Sequence, residues 1–139
     1  MNGKLILLLS MFGLAMGIAT VYVIPSQIEP WFWLVIFVVC AFAIARGAPG
    51  KPFYHGLLLG IVNSVWVTGA HVILYGTYMA HHAREAEMMR SATLPVSPRL
   101  MMACVGPIIG VISGVVIGLF ALLASWLLRR GRPPAAAST

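Results

Sequence analysis

Apolar residues run almost without interruption from about Leu5 to Ile24, and a turn from Pro25 to Pro30 containing Ser26, Gln27 and Glu29 closes the run. A lipid core needs roughly 20 predominantly apolar residues in a helix, because backbone groups shielded from water must bond within their own segment. The pattern therefore predicts a first span over 5–24. A second apolar run, Trp31 to Ala45, crosses only if Ile28 to Pro30 and Gly47 are recruited, which gives 28–47 and makes this the weakest span. The third, over 53–80, is longer than a hydrocarbon core requires and must tilt or protrude. It is followed by helix-forming residues over 81–92, where Arg84, Glu85, Glu87 and Arg90 stand at pairing distances, so the helix is expected to continue beyond the bilayer. Pro95 and Pro98 end it, and a fourth span over 100–128 closes at Arg129, Arg130 and Arg132. Residues 133–139, Pro-Pro-Ala-Ala-Ala-Ser-Thr, are expected to be a disordered tail.

The predicted fold is thus all-α: a polytopic membrane protein, one four-transmembrane-helix bundle over 1–132, with helix three extended beyond the bilayer. Composition agrees, since 60% of residues are apolar and 9% charged, far from a water-soluble domain. The first run is too long for a usual signal-peptide core and reads as a retained span.

The formal charge of +6 raises the question of nucleic acid, but the 9 basic residues are scattered at the ends of apolar segments and form no stripe. They read as topological anchors, and no nucleic-acid partner is expected. With the N terminus in the cytoplasm, that side carries Lys4, Arg46, Lys51, Arg129, Arg130 and Arg132, against Arg84, Arg90 and Arg99 opposite. This imbalance predicts that both termini are cytoplasmic. Tyr22, Trp31 and Trp33 would sit at the outer boundary, and Phe53, Tyr54 and Trp126 at the inner one. Cys40 and Cys104 lie in apolar runs without a redox or zinc spacing and read as structural.

Gly106, Gly110, Gly114 and Gly118 follow one another at four-residue spacing in the last span. Such a series lets another backbone approach closely, and Gly13 and Gly17 in the first span, with Gly56 and Gly60 in the third, offer matching grooves. These eight glycines are expected to pack helices, within one chain or between subunits. Pro107 removes a backbone donor near the start of the same span, so a kink is expected there.

Polar residues concentrate in the third span. At 100° per residue, Gly56, Gly60, Ser64, Thr68, His71, Tyr75, Tyr78 and His82 fall within an arc of about 120°, with Asn63 at its edge. Asn63, Ser64, Thr68, His71 and Tyr75 form a candidate polar path. His71 is the one histidine deep in a span, and it reads either as hydrogen-bonding glue or as a functional group. Haem ligation lacks a second histidine at the same depth, since His82 is about 16 Å further along the helix. A proton-coupled exporter lacks a carboxylate in the core. No nucleophile, base and polarising group converge, so no enzyme and no cofactor are expected. The nearest approach to a metal site is His81, His82 and Glu85, within a turn of one another.

From Phe53 to Leu128 the chain resembles a family of small bacterial four-helix membrane proteins classed as a domain of unknown function. Phe53 and Tyr54, then Gly56 and Gly60, carry the first part of the resemblance. The tyrosines ending helix three, the Met-containing extension, Pro107-x-x-Gly110 and the Arg-rich end carry the rest. It implies a membrane bundle and brings no known activity or site. The leading expectation is therefore a non-enzymatic membrane protein acting by helix-mediated self-association or as a partner subunit. The alternative is a small dimeric channel or carrier using the helix-three path.

Overall fold

The computed structural model describes residues 1–91 and 96–130. Within them the chain forms α1 (Gly3–Tyr22), α2 (Glu29–Gly47), α3 (Pro52–Ile73), α4 (Tyr75–His81), α5 (Ala83–Ser91) and α6 (Pro98–Arg130), with no strand among the described residues. Four of these, α1, α2, α3 and α6, are long and apolar enough to cross a membrane. The tail over 133–139, Arg132, Ala92 and Pro95 lie outside the described residues.

Local chemistry sets the helix starts. The Asn2 side chain accepts from Leu5 N at 3.1 Å, capping α1, while the Asn2 N–H donates to His55 Nε2 at 2.9 Å and ties the start of α1 to α3. Pro30 and Pro52 occupy the first turns of α2 and α3, where a missing N–H costs nothing. Pro98 does the same for α6: it begins that helix, with Ser97 Oγ 3.4 Å from Leu100 N. The helix then runs on through Pro107.

Helix three departs from the expected continuous element over 53–80. It bends at Leu74 (φ −96°, ψ 27°) and again at His82 (φ −122°, ψ 69°). The i→i−4 bonds of Leu74 to Ala70 (2.8 Å) and Tyr78 to Leu74 (2.9 Å) persist, although the helical ladder is interrupted at Leu74 itself. The bend has a compensation. Seven residues rise about 10 Å along a straight helix, yet the rings of His71 and Tyr78 stack with centroids 4.3 Å apart, and His82 stacks on Tyr78 at 4.2 Å.

Side by side, the long helices run α1, α3, α6, α2, with α3 and α6 in most extensive contact and α2 lying chiefly on α6. Their hydrophobic core is concentrated at the end that carries the N terminus. Ile6 and Leu9 of α1 meet Cys40, Ala41 and Ile44 of α2, Leu59 of α3, and Ile117, Ala121 and Ala124 of α6. The N-terminal half of α2 contributes no buried residue. The helices are packed at one end and open at the other.

Candidate functional site

Glycine spacing on two helices sets the α3–α6 seam. A Cβ built on Gly56 runs into the backbone of Gly118, and one on Gly60 into that of Gly114. One on Gly110 meets the Ser64 side chain, and one on Gly106 meets Thr68. Each four-residue step forward on α3 answers a four-residue step back on α6, so the pairing is antiparallel and in register. On the opposite flank of α3, a Cβ on Gly13 would lie 2.5 Å from Asn63 Oδ1, and one on Gly17 would lie 3.0 Å from Val67 Cα. All eight glycines singled out by spacing therefore sit at contacts between helices of one chain.

Beyond the packed end, α2 diverges from α3, and a cavity of about 690 Å³ opens between α2, α3 and α6. Its α2 wall carries Glu29, Trp33 and Phe37, its α6 wall Val105, Ile109, Ser113 and Phe120, and its α3 wall Asn63, Ser64, Thr68 and His71. Ser26, Tyr78, Met89, Met101 and Met102 also line it. That size falls in the range of small-molecule pockets, and an apolar lining with a few placed polar groups is their usual character.

Four of the five residues of the expected polar path thus share the cavity. Tyr75 does not: its ring lies under the Arg99 guanidinium, 5.2 Å from the ring centroid, because the bend at Leu74 turns it out of line with His71. Ser64 Oγ donates to its own helix at Ile61 O (2.8 Å). Asn63 is 4% exposed, lies against Gly13, and has neither Oδ1 nor Nδ2 bonded among the described residues. A buried carboxamide without partners is rare in folded proteins.

His71 has a partner the sequence did not disclose. Its Nε2 is 2.8 Å from Thr20 Oγ1, which also lies 2.8 Å from Met16 O. A threonine hydroxyl has one proton. With that proton given to Met16 O, His71 Nε2–H donates to Thr20, and a neutral ring keeps its Nδ1 lone pair free. The two readings of His71 are compatible here: it joins α1 to α3 and also lines the cavity.

The cavity mouth is held by short-range polar contacts. Trp33 Nε1 donates to Glu29 Oε1 at 3.0 Å, one turn back on α2. Trp33 is therefore turned toward the cavity, while Trp31 (69% exposed) faces outward. Partial burial pushes the Glu85 carboxyl up. The Ser26 hydroxyl, its own backbone N–H, and neighbouring His82 and Arg84 more than offset that and hold it below the usual carboxylate range.

The set His81, His82 and Glu85 is not assembled as a metal site. His82 is buried with its ring on Tyr78 and its Nδ1 3.0 Å from Tyr78 O, whereas His81 is exposed and its Nδ1 lies 2.9 Å from Thr77 O. Among the described residues, no three His, Cys, Asp or Glu groups come together as a metal would need.

Sequence reasoning missed Thr20, Glu29, Trp33 and Phe37 as site residues, and it placed Tyr78 on the polar arc of helix three without including it in the path. The α6 and α2 walls carried no signal apart from apolarity. The proximity of Glu29 and Trp33 at i, i+4 was readable, but not the divergence of α2 that gives it meaning. No protein-family model, no curated protein and no solved structure matches this chain.

Proposed function

We propose that the chain is a multi-pass protein of the bacterial inner membrane, with both termini cytoplasmic, that binds a lipid-soluble small molecule in the cavity between α2, α3 and α6. Four apolar helices and the distribution of basic residues support the membrane setting. So do large apolar side chains turned outward all along them, such as Leu8 (68% exposed), Val35 (62%) and Ile108 (61%). The observation that carries the binding reading is the cavity itself: about 690 Å³, bordered by His71 and by Asn63, whose carboxamide has no partner among the described residues.

This reading takes up the carrier expectation in its simplest form, a binding protein without chemistry of its own. Self-association, expected from the same glycines, would have to use other surfaces, because α3 and α6 already occupy those grooves. Organic extraction of protein purified in mild detergent, followed by mass spectrometry, tests the proposal. A small lipophilic compound is expected at near-equimolar amount. Extracts indistinguishable from those of an unrelated four-span protein prepared alike would overturn it.

A further inference from the structure

The cavity has a charge preference built into its wall. Glu29 is the one Asp, Glu, Lys or Arg among the described residues that line it, and His71 is the one titratable nitrogen there. Its carboxylate has no Lys or Arg within ion-pair distance among the described residues, where the one such pair is Arg90 with Glu87. Glu29 also lies in the first turn of α2. Trp33 holds one carboxylate oxygen through its indole N–H, which fixes the group's direction and leaves the other oxygen without a hydrogen bond among the described residues.

The surroundings favour an apolar body carrying that charge's complement. Trp33 and Phe37, one and two turns along α2 from Glu29, line the same cavity with their rings, whereas the Tyr78 ring is already stacked between His71 and His82. Aromatic faces attract cations, most strongly where water is excluded. Met89, Met101 and Met102 also border the cavity, and methionine accommodates varied apolar shapes. We propose that the cavity takes a lipophilic cation, its positive charge against Glu29 and its apolar body between the α2 and α6 walls.

This inference rests on the binding reading above and adds the sign of the ligand. The protein's net charge of +6 would by itself favour anions, so a cation preference must come from the cavity. The test is equilibrium dialysis of the full chain in nanodiscs of uncharged lipid, against protein-free discs. The probes are tetraphenylphosphonium, its anionic isostere tetraphenylborate, and the neutral triphenylphosphine oxide.

Beyond lipid partitioning, the cation should bind about tenfold more tightly than the anion. Glu29→Gln should bring the cation down to the level of the neutral probe, while Glu29→Asp keeps the preference. Equal binding of all three probes by the wild type, or a cation preference that survives Glu29→Gln, would overturn the inference and leave the cavity reading standing. No probe bound above protein-free discs would overturn both. Should Glu29→Gln lose the wild-type melting temperature, the cation-to-anion ratio of the wild type decides alone.

Discussion

Gly60 and Gly114 meet backbone to backbone: a methyl group placed on Gly60 would run into the N and Cα of Gly114. In the lipid setting proposed above, where apolar surface gives no drive between helices, contact of this kind would hold α3 to α6. Replacing Gly60 with alanine is expected to destabilise the protein by about 1 to 3 kcal/mol, since the neighbour that would have to move is itself backbone. Gly69 is the internal control. Nothing lies within 4 Å of a Cβ placed there, so Gly69→Ala should be neutral or stabilising by up to about 1 kcal/mol. Thermal melts in detergent that rank the two variants in the opposite order would refute the register.

The Thr20–His71 contact predicts a coupling across 51 positions of sequence. Thr20→Val leaves the imidazole N–H without an acceptor in a region shielded from water and should cost roughly 1 to 3 kcal/mol. In a His71→Phe background, which keeps a ring for Tyr78 to stack on, the same substitution should cost much less. A double-mutant cycle that shows additivity would mean the bond contributes nothing.

Asn63 makes the opposite prediction. Both polar atoms of its carboxamide are buried and unpartnered among the described residues, so Asn63→Leu, of similar shape, removes a desolvation cost without breaking a bond. Ligand-free protein should melt at a higher temperature, by an amount corresponding to about 1 to 3 kcal/mol. A fall in melting temperature would show that the carboxamide has a partner.

Burial raises the Glu85 carboxyl of α5, but the hydroxyl of Ser26, a cavity-lining residue of the α1–α2 turn, and neighbouring groups lower it by more. Its carboxyl is held below the ordinary range when folded, so the unfolded form takes up its proton first. The stabilisation is present above the ordinary carboxylate range and is lost as pH falls through the depressed value. Hydrogen exchange at the Ser26 turn should accelerate on acidification over that interval, and Glu85→Gln should flatten the dependence. An unchanged profile in the variant would remove Glu85 from the mouth's anchoring.

What the sequence made legible is bounded by how local each signal is. The long helices follow from apolar runs punctuated by Pro25, Pro30, Gly47, Pro52 and Pro98, and their ends fall close to those marks. The glycine spacing was legible on α1, α3 and α6 alike, but not which series would pair with which. The bends at Leu74 and His82 were hidden, because residues on both sides favour helix and the compensation is a ring stack formed only after bending. Thr20 as the partner of His71, and the cavity itself, depend on how whole helices are placed. In particular, the core is concentrated at Ile6, Ile44, Leu59 and Ile117, which leaves the far half of α2 free to diverge.

Occupancy of the cavity is tested most directly by native mass spectrometry of the wild type and of Ser113→Trp, which places an indole inside the α6 wall. The wild-type monomer should carry a small-molecule adduct that the variant lacks, with both chains equally folded by circular dichroism. An adduct of the same mass and abundance on both chains, or none on the wild type, would contradict a ligand held between α2, α3 and α6.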